Sequence, residues 1–387
     1  MPMKLYIGAD LVPTALSQAA FSCSDLTEII EPKLLSMLKS ADYRIFNLEC
    51  PLVDGGTPME KFGPSISAPT AAVCGLQALG ADLLTLANNH ILDYGEAGLA
   101  STRRVLESAG IAAVGAGKGS DRCGIYQLEK DGITVGIYAC AEHEFSVTPA
   151  HMAGAVGYDP AVSLPAVSKL KESCDAVIVL YHGGREMWQY PTPQLRERCH
   201  ALADAGADLV ICQHSHCIGC GEHRNNATIV YGQGNFHFAL EDECTDLWCT
   251  SLLLEVEVSA DRLQLNPIPL RLKGKLLTPA EDQDAKAICA DYADRSAELV
   301  SGVADERFQA VLDEITEHYL IGLSGNRFYR FFSRLWNKLT GGRYKKRKLE
   351  KMYAREDLLR LINYLECETH REMLLGALHR TLSKTKR

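Results

Sequence analysis

The 387 residues, 47% hydrophobic and 23% charged, are ordinary for a soluble globular protein and allow one large domain with an appendage, or two domains. A net charge of −9 argues against non-specific nucleic-acid binding by the whole chain. Residues 301–387 nevertheless carry 18 Lys and Arg against 11 Asp and Glu, which leaves the first 300 residues at −16. A basic tail on an acidic body suggests an anionic partner for the tail.

The chain enters a strand-like run directly after Met1-Pro2-Met3, with no charged segment followed by a long apolar stretch. No apolar run approaches the ~20 residues of a membrane span. Fourteen Cys are scattered through the sequence, and without an export signal they read as reduced thiols of a cytoplasmic protein.

Residues 4–10 read as a strand, and 26–38 as a helix with Asp25 as N-cap. A strand at 43–48 leads to a Gly/Pro-rich loop over 54–69 and a helix over 69–79 that stops at Gly80. A buried strand at 82–86, a helix at 96–109 closed by Gly110 and a strand at 111–114 follow. Strands 125–128 and 133–139 flank Lys130-Asp131-Gly132, a hairpin signal. Helices at 162–170 and 194–204 then alternate with strands at 176–180, 208–212 and 228–231, and 252–258 with 263–270 form a closing antiparallel pair. This is the pattern of an α/β layered fold. From about residue 279 the strands stop, and 281–318 and 326–383 read as helices. The expected division is a domain at 1–277 and a helical, basic C-terminal region at 278–387.

Metal-type ligands sit where strands run out into loops: Asp10, Glu49, Asn88-Asn89-His90, His182 before Gly183-Gly184, and His214-Ser215-His216. Loops at the carboxyl ends of strands line the crevice of an α/β fold, so these distant residues can converge. Such a set suits two divalent cations, with Mn, Fe and Zn all compatible. Glu49 is the chosen bridge. Asp10 and His216 are assigned to one ion, and Asn89, His182 and His214 to the other, a partition that spacing alone does not derive. His90 is the candidate general acid, with Asp93 in the catalytic pair and, with Gly95, fixing the turn into the next helix. Asn88, Glu186 and Asn235 are the candidate substrate-binding residues, for a phosphorylated or anionic small molecule or polymer. A rival sits in the same region: Cys217-x-x-Cys220, with Cys212, His214 and His216, could build a structural zinc site or redox pair, although only His223 offers a further ligand.

Several motifs resemble those of the CapA family of poly-γ-glutamate or capsule-synthesis proteins. They are Asn47-Leu48-Glu49-Cys50-Pro51-Leu52, Lys61-Phe62-Gly63-Pro64, residues 86–95 around Asn88-Asn89-His90, Val114-Gly115-Ala116-Gly117, and the ordered run from His182-Gly183-Gly184-Arg185-Glu186 through His214-Ser215-His216 to Tyr231-Gly232-Gln233-Gly234-Asn235-Phe236. The likeness covers about residues 4–270. It implies a four-layer α/β sandwich of the calcineurin-like metallophosphoesterase type with a two-metal centre, and it supports the roles given to Asp10, Glu49, Asn89, His90, His182, His214 and His216. Two departures stand out. The phosphoesterase Asp-x-His is Asp10-Leu11-Val12, and His-Trp-Gly is His182-Gly183-Gly184 with Trp188 displaced downstream. Met187, Trp188 and Tyr190 either line the mouth of the site or simply pack. The resemblance implies hydrolysis of a phosphoester or related bond in capsule or polyglutamate assembly. A non-catalytic metal-binding subunit of such an assembly and a zinc-stabilised interaction protein are the alternatives.

In the C-terminal region Phe328, Phe331, Phe332, Leu335, Trp336 and Leu339 fall at helical spacing, flanked by Arg and Lys. A basic amphipathic helix of this kind either lies on an anionic membrane surface at the inner face or docks on the catalytic domain. Capsule-synthesis proteins are the other candidate partners of this region.

Overall fold

In the strands Met3–Leu11 and Ala176–His182 nearly every residue is buried, on both faces, as in sheets covered on both sides. The structure, a computed structural model, describes residues 2–61, 63–241, 245–312, 353, 355–366 and 378.

Two sheets form the core. The first has the order β16 (Leu276–Pro279), β15 (Arg262–Lys273), β14 (Thr250–Ser259), β1 (Met3–Leu11), β2 (Tyr43–Leu48), β3 (Leu83–Thr85) and β4 (Ala112–Val114), with β13 (Asn235–His237) also pairing with β1. The second has the order β11 (Ile218–Arg224), β12 (Ala227–Gln233), β10 (Leu209–Gln213), β9 (Ala176–His182), β7 (Ile133–Ala141) and β6 (Ile125–Lys130). A small ladder joins β5 (Ala116–Gly117) to β8 (Gly154–Ala155). Strands β1 to β4 run parallel, as do β7, β9, β10 and β12.

Leu5, Ile7 and Ile45 of the first sheet meet Ile137, Ile178, Leu180 and Ile211 of the second in one core between the sheets. On its outer face the first sheet packs Tyr6, Phe46 and Leu84 against α1 (Gln18–Cys23), α2 (Pro32–Leu38), α3 (Val73–Leu79) and α4 (Gly95–Ser108). The second packs Val177, Val179 and Val210 against α5 (Pro160–Ser173) and α6 (Pro193–Asp204). Helix, sheet, sheet, helix is the four-layer α/β sandwich expected.

Local differences have local causes. Helix α2 starts at Pro32, whose fixed φ and missing N–H suit the first turn. Asp25, the expected cap, instead accepts the Thr27 amide at 3.1 Å and hydroxyl at 2.6 Å in a turn of its own. Asp131 and Gly132 both take positive φ in the β6–β7 hairpin, as a two-residue turn of the I′ kind requires.

The chain divides into units Met1–Asp305 and Glu306–Arg387. The boundary falls after α8 (Asp282–Ser301) because that helix docks on β11: Ser296 Oγ accepts the Gly221 amide and Arg295 Nε donates to the Gly219 carbonyl, both at 2.8 Å. In the second unit α9 (Arg355–Glu366) is described, and the aromatic basic stretch 327–348 lies outside the described residues. No helix among the described residues is long and apolar enough to cross a membrane.

Candidate metal centre

Parallel pairing brings the carboxyl ends together. Asp10 stands opposite Asn47 on β2 and Asn235 on β13. His182 stands opposite Gln213 on β10 and Ala141 on β7. The two sheets are tied at this end: the His214 amide donates to Asp10 Oδ2 at 3.1 Å, and Gln233 Nε2 donates to the Ile7 carbonyl at 2.6 Å. Gly8 permits the close packing beneath, since a Cβ there would lie 2.5 Å from the Phe46 ring.

Glu49, immediately after β2, is fully buried, and neither carboxylate oxygen accepts a hydrogen bond. His182 Nε2 lies 3.2 Å from its Oε1 and His214 Nδ1 3.9 Å, the latter also without a hydrogen-bond partner. His182 Nε2 is also 3.1 Å from Asn89 Oδ1. Asp10 Oδ2 is 3.4 Å from His216 Nδ1, which lies 2.8 Å from Asn235 Oδ1. His214 and His216 hold φ of +87° and +52°, left-handed backbone that turns both imidazoles into the cluster instead of to opposite sides of a strand.

Two overlapping trios result, Asp10/Glu49/His182 and Glu49/His214/His216, each with ligand atoms within 4.8 Å of one another. Glu49 is common to both, the position given to a bridge. Asp10 lies 3.4 Å from His216 Nδ1 and 3.7 Å from His182 Nδ1, and Asn89 is beside His182, so these distances accommodate the expected partition as well as the two trios.

Opposite charges face one another across the cluster. Burial pushes the Glu49 carboxyl up, yet the His216 and His182 imidazoles hold it well below the usual carboxylate range. Burial lowers His216, but Glu49 and Asp10 carry it to about 10. His214 is raised in the same way, against burial, by Glu49. Buried anionic oxygens without donors are costly unless positive charge faces them. Mixed carboxylate, imidazole and amide donors of this kind fit two divalent cations.

The candidate acid stands beside the cluster. His90 Nδ1 is 2.7 Å from Asp93 Oδ2, which also accepts the Ile66 amide at 2.7 Å. Lys61, whose side chain is 2% exposed, places Nζ 2.5 Å from Asp93 Oδ1 and 3.1 Å from His90 Nδ1, over the Phe145 ring. With the Nδ1 proton directed at Asp93, the ammonium serves Asp93. Ser146 ties the loop down, donating to the Asn89 carbonyl at 2.7 Å and accepting the Leu92 amide at 3.1 Å.

Sequence reasoning gave no role to three residues that matter here. Asn47 Nδ2 donates to Asp10 Oδ1 at 2.7 Å and approaches His182 Nδ1 at 3.1 Å, while its Oδ1 accepts from Thr85 and Asn88. Lys61 is the second. Glu142, next to Ala141, reaches 3.8 Å from His214 Nε2. The only available signal was position: Asn47 lies two residues before Glu49, Lys61 in a quoted motif, and Glu142 at a strand end.

One substrate-binding expectation changes. Asn88 is fully buried, and its amide is occupied by Asn47, the Leu48 carbonyl and the His90 amide, so it positions the loop. Glu186 is exposed and makes no hydrogen bond or ion pair with the cluster among the described residues. Asn235 does reach the site, through His216, and its Nδ2 is buried without a partner. Cys217 and Cys220 join no metal-type cluster among the described residues, and burial raises their thiols to about 11 and about 12. They pack as apolar side chains, not as a zinc site.

The family model for the bacterial capsule synthesis protein PGA_cap matches residues 7–240. The chain is 30% identical over 211 residues to the capsule biosynthesis protein CapA of Bacillus anthracis, covering 52% of this chain and 51% of that protein. It is 30% identical over 167 residues to the PGA biosynthesis protein CapA of Bacillus subtilis, covering 42% and 44%. The chain thus spans about half the length of these curated relatives. Among solved structures it is similar to a novel phosphatase of Mycoplasma pneumoniae, with TM-score 0.47, 14% identity and coverage of 70% and 95%. It is also similar to the NAD nucleotidase of Haemophilus influenzae, with TM-score 0.46, 13% identity and coverage of 80% and 68%.

Proposed function

Since the chain belongs to the bacterial capsule synthesis protein family PGA_cap, we propose that it is a dinuclear metal-dependent hydrolase cleaving a phosphoester in capsule or poly-γ-glutamate assembly. The observation that carries this reading is Glu49, a buried carboxylate without hydrogen-bond donors, shared by two ligand trios. Asp10, Glu49 and His182 would hold one ion and Glu49, His214 and His216 the other, with Asn89 Oδ1 a neutral donor beside His182. Bound divalent ions lower the pKa of water and stabilise charge developing at phosphorus.

The remaining work falls to the chain. Hydrolysis forms a P–O bond to water and breaks the ester P–O bond, and the departing oxygen needs a proton. Asp93 holds Nδ1 of His90, which fixes the ring and leaves Nε2 without a protein partner among the described residues. In the imidazolium form, which carries a proton on both nitrogens, Nε2 gives its proton to the departing oxygen and Nδ1–H stays on Asp93. Lys61 balances the Asp93 charge, and Asn47 orients Asp10 and His182 from behind.

The test is metal analysis of dialysed protein with turnover of an aryl phosphate in Mn²⁺. His90→Gln is expected to keep its metal and lose about 10²–10⁴ in rate. An unchanged rate refutes the assignment of His90. A second reading, a metal-binding subunit without turnover, is favoured by Val12, a buried core residue where the resemblance places a histidine. Two bound ions with no hydrolysis of any phosphoester tried would support it. We further propose that the protein lies at the cytoplasmic side, with the C-terminal unit from Glu306 contacting an anionic membrane surface or other capsule-synthesis proteins. Salt-sensitive recovery with anionic vesicles tests this, and equal recovery with neutral vesicles refutes it.

A further inference from the structure

The loop after β9 carries a charged group that the proposed chemistry does not use. Arg185 lies three residues beyond His182, with its guanidinium carbon 5.4 Å from the centroid of the Trp188 ring. Arg185 Nη1 and Trp188 Nε1 are both buried without a hydrogen-bond partner, and no carboxylate pairs with Arg185 among the described residues. Other half-buried arginines find acceptors: Arg196 pairs with Glu222 at 2.7 Å and Arg271 with Asp284 at 2.5 Å, Arg103 and Arg295 donate to carbonyls, and Arg198 donates to the Tyr181 hydroxyl.

The loop is anchored against the metal-type cluster. The Gly183 amide donates to the Gln213 carbonyl at 3.0 Å, the Gly184 amide to Glu142 Oε2 at 3.3 Å, and the Met187 amide to the Ser215 carbonyl at 2.8 Å. The Trp188 amide closes the turn on the Arg185 carbonyl at 3.3 Å. Met187 takes a φ of +55°, a conformation that persists where surroundings impose it. Arg185 and Trp188 are therefore held beside the segment that carries His214 and His216.

Buried donors left without an acceptor are costly, and a guanidinium held over an indole ring, each with an unpartnered N–H, suits oxygens that bear negative charge. The geometry points to a second anion subsite, in which Arg185 and Trp188 receive a carboxylate or phosphate group of the substrate other than the ester that is cleaved. The word substrate rests on the hydrolase reading; the chemistry of the two donors does not. A guanidinium fork accepts either oxyanion. The favoured substrate is accordingly at least doubly anionic, with its second charge set apart from the reacting group.

Direct binding tests this without turnover. Inorganic phosphate and succinate are titrated separately into the full chain after exhaustive dialysis against chelator and then buffer, followed by calorimetry and tryptophan fluorescence. At least one anion is expected to bind saturably, with affinity falling about tenfold or more in Arg185→Gln and less in Arg185→Lys or Trp188→Phe. Binding of phosphate alone assigns the second group as a phosphate, and binding of succinate alone as a carboxylate. If Arg185→Gln does not fold, the Lys and Phe variants carry the comparison. No saturable binding, or affinities unchanged in the variants, overturns the subsite. If Arg185-dependent binding is found in a chain that hydrolyses no phosphoester, the hydrolase reading falls and the subsite stands. Aryl phosphate hydrolysis without such binding gives the reverse.

Discussion

Replacing Glu49 with Gln keeps its shape and removes the one charge common to both ligand trios. Two roles for this carboxylate predict different losses. As the carboxylate that faces the raised His216 imidazole, its removal leaves a buried positive charge uncompensated and costs about 3–5 kcal/mol. As a bridge between cations, its removal also deletes a ligand-dependent increment. A ligand that binds only the folded state, at 100 times its Kd, adds about 2.7 kcal/mol. For a unit of this size, Met1–Asp305, that is roughly 4 °C in Tm. Thermal unfolding of both proteins, with Mn²⁺ and after chelation, separates the two roles. The unsubstituted chain is expected to gain this increment and Glu49→Gln to gain none, and bound metal in the dialysed variant should fall from about two per chain to below one. A Glu49→Gln protein that gains as many degrees from Mn²⁺ as the unsubstituted chain refutes the bridge.

Lys61→Met strands a buried Asp93 carboxylate and should destabilise by about 3–5 kcal/mol in urea unfolding, while the double variant with Asp93→Asn loses less than the two single losses combined. Gly8→Ala drives a Cβ to 2.5 Å from the Phe46 ring, two residues before Asp10. It should cost about 1–3 kcal/mol by denaturant midpoint and weaken metal binding by calorimetry. Burial holds the His237 imidazole down at about 4, against 6.5 when free. The unfolded chain protonates first, so this contribution is complete above pH 6.5 and is lost as pH falls from 6.5 to 4, about 3 kcal/mol in all. His237→Phe should flatten that limb of a stability–pH curve, and an unchanged limb assigns it to other groups.

The layered fold was readable because apolar strand runs end abruptly in polar residues, and that boundary also marked Asp10, Glu49, Asn89, His182 and His214. That both imidazoles of the 214/216 pair turn into one cluster was not readable. It depends on left-handed backbone at His214 and His216, and nothing local demands that conformation of a histidine. Lys61 was hidden for a related reason: in sequence it is a loop lysine, and in the fold the Met59 and Ile66 amides both bond Asp93, which brings Lys61 onto that residue's carboxylate. Asn47 gave no signal as a strand residue, since its four partners arrive from other segments. Cys217-x-x-Cys220 shows the converse, a spacing that suggests chemistry where the thiols are only packing.

Each trio draws on both sheets, Asp10 and Glu49 from one and the histidines from the other. A cation seated there acts as a rivet through the seam between the two halves of the sandwich. Ion release and parting of the seam then become a single event, and amides of β1 and β10 should exchange with solvent together, both slowed when the ions are in place.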